Sequence, residues 1–271
     1  MTTRLTKGIF MKTILVTNDD GFESDGLHAL VSALQPLGRV IVVAPTINKS
    51  ACGHSLTLDK PLRFVEIEDD FFKLDDGTPS DCIYLAMHSL LQNKPDLVVS
   101  GINKGANMGE DITYSGTAAA AMEAALQGVD AIAISQVCNS MCEDLHMHGY
   151  ELGANVAHDV AKDILDKKLT MPQRRFLNIN IPPIKAKECQ GKKITKAGYR
   201  VYGNDLSTHR NPRGLEFHWI GLHPLEWVSD EAKDCDFEAI KQGYVSITPI
   251  QMNLTSYEDI KGLQQWIDTK E

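Results

Sequence analysis

The order strand, helix, strand between Lys12 and Ala44 constrains the fold more than any other feature of the chain. Lys12 to Thr17 (KTILVT) is a short β-branched run closed by Asn18-Asp19-Asp20-Gly21, which reads as a buried strand entering a tight turn. From Asp25 to Leu37 the apolar residues Leu27, Leu30, Val31, Leu34 and Leu37 recur at spacings of three and four, which marks a helix, and Gly38 follows as its stop. Arg39 to Ala44 (RVIVVA) is a second buried strand, ended by Pro45. Strands joined through a helical crossover lie parallel, so the sheet is at least partly parallel.

The order recurs downstream. Helices are predicted over Pro79 to Gln92, Gly116 to Gln127 and about Tyr150 to Lys167, and strands over Asp96 to Ser100, Ala131 to Ser135 and Phe176 to Ile181. This pattern specifies an α/β fold with a doubly wound, mostly parallel, Rossmann-like sheet. After Pro182-Pro183 the texture changes to short strand candidates, Lys192 to Thr195 and Glu216 to Ile220, among Gly, Pro, Lys and Arg. The expected organisation is an extension over residues 1–10, an α/β core over 11–183, a β-hairpin-rich arm over 184–245, and a closing strand and helix over 246–271. That last segment includes the apolar strand Tyr244 to Ile250, beginning just inside the arm, and the helix Tyr257 to Ile267.

At 271 residues the chain can bury a full core, and no Ser/Gly-rich or Pro-rich linker splits it. A net charge of −9 argues against a nucleic-acid polymer as partner, since that binding neutralises many phosphates with Lys and Arg. A small anion is then drawn by a local positive centre, of which a bound metal ion is the simplest. Six dispersed cysteines are expected to be reduced. The first ten residues form no uninterrupted apolar signal region, and no apolar run reaches spanning length, so a cytoplasmic location with no membrane partner is expected.

Ligands of open parallel sheets sit beyond the carboxyl ends of the strands, and three loops at those ends are unusual. Asn18-Asp19-Asp20-Gly21 places two adjacent carboxylates without a neighbouring Lys or Arg; a hard divalent cation relieves their repulsion, though the same residues also suit a plain surface turn. Ser100 to Gly109 combines glycines, which let backbone N–H groups approach a ligand, with Asn103 and Asn107, whose carbonyl oxygens can ligate Mg²⁺ or Mn²⁺; an ordinary glycine loop is the alternative. Tyr114-Ser115-Gly116-Thr117 precedes an alanine run, so Ser115 or Thr117 starts a helix, either as an anion cradle or as a structural cap. A phosphoryl substrate bridging metal and helix start accounts for all three loops.

Together, Asn18-Asp19-Asp20-Gly21, Val43-Ala44-Pro45, Lys49-Ser50, Gly77 to Cys82, Ser100-Gly101-Ile102-Asn103 and Ser115-Gly116-Thr117 resemble the SurE family of 5′-nucleotidases. The match runs from about Met11 to Ser135 and is looser beyond. The resemblance implies one divalent ion, Mg²⁺ or Mn²⁺, at positions matching Asp19, Asp20, Ser50 and Asn103, and substrate phosphate contacts at Asn107, Ser115, Gly116 and Thr117. It also implies homodimers or homotetramers that exchange the C-terminal arm. Ala106 stands where the family usually has Pro, and Lys49 where Arg is usual.

The expected activity is hydrolysis of nucleoside 5′-monophosphates by in-line attack of water, with Asp19 or Asp20 taking the proton. Attack by an aspartate itself is the mechanistic alternative. Competing functions are a broader phosphohydrolase acting on 3′-nucleotides or short polyphosphate, and a non-catalytic nucleotide-sensing module. Cys138, Cys142, His146 and His148 lie close together, but their spacing matches no zinc motif and reads as a loop before the next helix. His54 is a loop histidine open to a substrate or a surface role, and Tyr114 or the arm could contact a base. Lys185, Lys187, Lys192, Lys193, Lys196 and Arg200 read as a solvated face.

Overall fold

The computed structural model describes residues 11–138, 145–203, 206–221, 226–228 and 233–270. Strand β1 (Thr13–Thr17), helix α1 (Asp25–Leu34) and strand β2 (Arg39–Pro45) make the opening βαβ unit. Helix α1 ends before its apolar spacing does, because Gln35–Leu37 tightens into a 3-10 turn containing Pro36. Gly38 is needed for close approach rather than as a left-handed cap: a Cβ there would lie 2.3 Å from the Lys12 carbonyl oxygen.

An antiparallel hairpin of β3 (Arg63–Glu68) and β4 (Phe71–Asp75) follows. It escaped the sequence reading because β3 is largely exposed and carries Glu66 and Glu68, so neither a buried run nor a clean alternation marks it. Helix α2 (Pro79–Leu85) starts at a capping box between Thr78 and Asp81 and closes through a π-turn over Ala86–Leu90. Then come β5 (Leu97–Lys104), α3 (Gly116–Leu126), β6 (Ala131–Gln136), the short α4 (Leu145–His148), α5 (Glu151–Leu165) and β7 (Arg175–Ile181). Strand β5 runs past the expected Ser100 to Lys104, with a register shift between Ser100 and Asn103.

The C-terminal part contains β8 (Lys192–Ile194), β9 (Arg200–Val201), β10 (Leu206–Arg210), β11 (Glu216–Ile220), β12 (Glu226–Trp227), α6 (Asp236–Lys241), β13 (Val245–Gln251) and α7 (Tyr257–Asp268). Among the described residues the main sheet has nine strands in the order β3-β4-β2-β1-β5-β6-β7-β13-β8. Pairing is parallel from β4 through β7 and antiparallel at β3–β4 and β7–β13, which is the mostly parallel α/β sheet expected from the sequence. Strand β8 joins this sheet beside β13, while β10 and β11 form a separate hairpin.

Strand β1 lies between β2 and β5, so the chain reverses its direction of travel across the sheet there, and a crevice opens at the carboxyl ends of β1 and β5. On one face, Ile14, Val16 and Ile132 pack with Leu27, Leu30, Val156, Val160 and Ile164. On the other, Leu15 and Val98 pack with Ile83, Ala120, Ala121 and Ala124. Each fully buried Leu or Ile contributes roughly 1.5–3 kcal/mol. The alanines of α3 have a second effect, since small side chains let that helix lie close to the sheet and bring its N-terminus to the crevice. Helix α7 instead packs nothing away: every residue of it is exposed, including Ile260, Leu263 and Trp266.

Candidate active site

The turn after β1 is held by Asn18, whose Nδ2 donates to the Gly21 carbonyl at 2.9 Å and to Ser24 Oγ at 2.7 Å. Ser24 in turn caps α1. The turn is thereby fixed to a helix start on one side, and its two carboxylates are directed to different partners. Asp19 is buried, 3% exposed, and faces α3: Thr117 Oγ1 donates to its Oδ1. Asp20 is half-buried and faces β5, its Oδ2 accepting the Lys104 N–H at 2.8 Å.

Gly116 makes the first junction feasible. A Cβ at this position would lie 2.8 Å from the Asp19 Cβ and 3.1 Å from Cys52 Sγ, so a side chain would push the helix start off the carboxylate. Ser115 is the N-cap of α3, accepting the Ala118 N–H at 3.0 Å, and Thr117 sits in the first turn. The next loop is pinned alongside, because the Lys49 N–H donates to the Asp19 carbonyl at 2.7 Å and the Gly53 N–H to the Tyr114 carbonyl at 2.9 Å. Ser50 lies exposed on that loop with its N–H bonded to Asn48 Oδ1.

Asn103 is buried at the end of β5 and commits its Nδ2 to the Gly105 carbonyl at 3.0 Å, which leaves Oδ1 without a hydrogen-bond partner among the described residues. Asn107 is held from its own backbone: its N–H donates to Asn180 Oδ1 at 2.9 Å, its carbonyl accepts from Asn178 and Asn180, and its Nδ2 donates to Ser135 Oγ at 2.7 Å. The sequence reading missed these holders. Their signal was available, since Asn178 and Asn180 are polar residues two apart on one face of a strand that is otherwise apolar after Arg175.

The electrostatics follow from burial. Burial raises the Asp19 carboxyl above its ordinary value, against the pull of Thr117 and of backbone N–H groups. Burial and the neighbouring Asp19 charge push Asp20 up to about 6. Neither carboxylate makes an ion pair among the described residues. Adjacent carboxylates drawn out of water and met only by N–H and O–H donors need a proton or a cation, and carboxylate and amide oxygens are the donor type that a hard divalent ion takes. A cavity of about 540 Å³ bordered by Asp20, Asn48, Lys104 and Tyr150 opens beside them.

Other expected residues fall elsewhere. His54 is not a free surface histidine: its Nε2 lies 2.9 Å from Oε2 of buried Glu123 on α3. Burial would raise the Glu123 carboxyl, but hydrogen bonds from His54 and Gln127 outweigh it and hold it below its ordinary value. Arg200 departs from the solvated face expected of the arm, its side chain being 6% exposed and bonded through Nε to Asp111 at 3.0 Å. Cys52, Cys82, Cys189 and Cys235 are free thiols, whereas Cys138 is disulfide-bonded, a departure from the expectation of reduced cysteines throughout. Cys142 lies outside the described residues, and the disulfide removes Cys138 as a free thiolate for the weighed zinc site. Among the described residues no helix is long and apolar enough to cross a membrane.

Comparison with known proteins places the chain in a family. The chain is 58% identical over 261 residues to the 5′-nucleotidase SurE of Aliarcobacter butzleri, covering 95% of this chain and 100% of that one. It is 59% identical over 260 residues to the protein of the same description from Nitratiruptor, again covering 95% and 100%. The crystal structure of the SurE protein from Aquifex aeolicus superposes with a TM-score of 0.81 at 41% identity, over 94% of this chain and 100% of that one. The family model of survival protein SurE matches residues 14–204, which contain both carboxylates, the glycine loop and the start of α3; the chain belongs to the SurE family.

Proposed function

We propose that the protein is a divalent-metal-dependent phosphatase that hydrolyses nucleoside 5′-monophosphates to nucleoside and phosphate. The observation that carries this reading is the junction of Asp19 with Thr117 and Gly116, which sets a carboxylate metal site against the N-terminus of an eleven-residue helix. The two relatives described as 5′-nucleotidases support the substrate class. Asp19, Asp20, Ser50 and Asn103 would hold one Mg²⁺ or Mn²⁺, which when bound would supply a positive charge beside the phosphoryl group.

The chain's own residues do the rest. The start of α3 at Ser115, Gly116 and Thr117, with Asn107, binds the phosphate, and the helix dipole favours the charge that grows on it as the bond to the leaving oxygen breaks. The Asp19 carboxylate is engaged by the Thr117 hydroxyl and by backbone N–H groups at the start of α3, whereas Asp20 is met by the Lys104 N–H and is the more exposed of the two, so Asp20 takes the proton of the attacking water. Tyr114, 60% exposed beside Ser115, is available to a base.

The exposed apolar residues of the β10–β11 hairpin support a homodimer or homotetramer in which the C-terminal arm is exchanged. Four free thiols support a cytoplasmic location, with the Cys138 disulfide as the feature that departs from it. The test is phosphate release from 5′- and 3′-nucleoside monophosphates, short polyphosphate and an aryl phosphate, with Mg²⁺, Mn²⁺ or EDTA, on wild type and Asp19→Asn. Turnover of 5′-nucleotides that needs metal and is lost in Asp19→Asn by more than the roughly 10–100-fold cost of removing an outer-shell partner is expected. Nucleotide binding without turnover of any substrate would make the protein a sensing module instead.

A further inference from the structure

The 3-10 turn Gly109–Thr113 joins Asn107 to Ser115, so it sets the spacing between the two sides of the phosphate site. It is gripped from the C-terminal half of the chain. Asp236, fully buried at the start of α6, accepts the Gly109 N–H on Oδ2 at 2.8 Å. Its Oδ1 accepts the N–H groups of Gly198 at 3.0 Å and of Phe237 at 2.9 Å. Two further contacts reinforce the grip, the Arg200 N–H to Glu110 and the Tyr202 hydroxyl to Asp111 Oδ1 at 2.9 Å.

The packing leaves no slack at this point. Gly109 has φ +55°, and a Cβ there would lie 2.6 Å from the Gly198 carbonyl oxygen and 2.8 Å from the Phe237 ring. That ring stacks on Trp227 at 5.3 Å and belongs to a small separate core with Met108, Val137, Cys235 and Ile240. The loop residue beside Gly109 is therefore anchored in the same cluster as the carboxylate that holds Gly109.

The geometry points to Asp236 as a positioning residue for the reaction, one that acts through the Gly109 N–H to hold Asn107 and the start of α3 at the spacing a phosphate requires. The inference rests on the reading of Asn107 and Ser115 to Thr117 as phosphate contacts. Every partner of Asp236 in this arrangement is a backbone N–H, which can only donate, so both carboxylate oxygens must accept. An amide of the same shape cannot do this: Asp236→Asn sets an NH₂ group against a backbone N–H whichever way it turns.

The experiment compares wild type, Asp236→Asn and Ile240→Ala, the last of which loosens the same small core without touching these hydrogen bonds. Binding of inorganic phosphate, kcat and KM for a nucleoside 5′-monophosphate, melting temperature, and amide hydrogen exchange of peptides spanning 105–113 and 13–17 are read for each. In Asp236→Asn, kcat/KM falls on the order of 10–100-fold and phosphate binding weakens about tenfold. Exchange accelerates over 105–113 and is unchanged over 13–17, while Ile240→Ala loses melting temperature yet keeps phosphate affinity within about twofold. Exchange over 105–113 as slow as wild type, or an equal loss of phosphate affinity in Ile240→Ala, overturns the role of Asp236. Absence of nucleotide turnover by wild type refutes the nucleotidase reading instead, and the phosphate-binding and exchange results still decide this one.

Discussion

The carboxyl edge of the sheet and the β10–β11 hairpin use apolar residues in opposite ways. Strands β1, β5 and β6 are covered on both faces, so Ile14, Leu15, Val16, Val98 and Ile132 are wholly buried and the loops that follow start from fixed points. The hairpin has no such cover among the described residues, and Leu206, Phe217, Trp219 and Ile220 are all more than half exposed. Helix α7 repeats the pattern, with no residue of it buried among the described residues. The core therefore fixes the loops that carry the site, whereas the projecting elements leave apolar surface exposed. Arg200, Tyr202 and Asp236 belong to neither extreme, because they come from the C-terminal half and yet reach back to Gly109, Glu110 and Asp111.

The contrast sharpens most under a one-atom change at the sheet edge. Gly116→Ala puts a methyl 2.8 Å from the Asp19 Cβ, displacing the helix start from the carboxylate. A loss of about 10²-fold in kcat/KM is expected from that misplacement. Thermal melts should show a stability cost of about 1–3 kcal/mol from overpacking. Activity within twofold of wild type would show that the close approach of α3 to Asp19 is not needed.

A charge on the hairpin should act on assembly and hardly on chemistry. Trp219→Glu places a carboxylate in the exposed apolar stripe, and light scattering is expected to report a smaller particle than wild type with activity per subunit changed only a few-fold. An unchanged mass would remove the hairpin from the subunit contact.

The smallest expected effect is on stability without metal. Folding raises the Asp20 carboxyl from 3.8 to about 6 through burial and the Asp19 charge, so between those values the folded state holds more protons than the unfolded one. Stability then falls as pH rises through that window and levels off above it. In EDTA, wild type should lose melting temperature between about pH 4 and pH 6, Asp20→Asn should lose less, and added Mn²⁺ should restore the wild-type value at pH 7. Parallel curves for the two proteins in EDTA would remove Asp20 as the source.

Several parts of the site were legible because their signals are local. A β-branched run ending in Asn18-Asp19-Asp20-Gly21 is a strand and a turn whatever surrounds it, and an alanine run after Ser115-Gly116-Thr117 is a helix with a capped start. The β3–β4 hairpin was not legible, since an exposed edge with Glu66 and Glu68 leaves little periodicity to detect. The pairing of His54 with Glu123 spans 69 residues and that of Asp236 with Gly109 spans 127, so no local window contains both partners.

By itself, then, the sequence determined the α/β class, the order of strands and helices in the core apart from the β3–β4 hairpin, and the loops that carry carboxylates, asparagines and a capped helix start. These depend on apolar period and on the conformational preferences of a few consecutive residues. Only the tertiary structure decided that Asp19 turns to Thr117 and Asp20 to the Lys104 N–H, that Arg200 is buried rather than solvated, and that Asp236 holds Gly109. Those choices come from packing between elements distant in the chain, where the cost of leaving a buried N–H or carboxylate without a partner selects one arrangement from many that local preference allows.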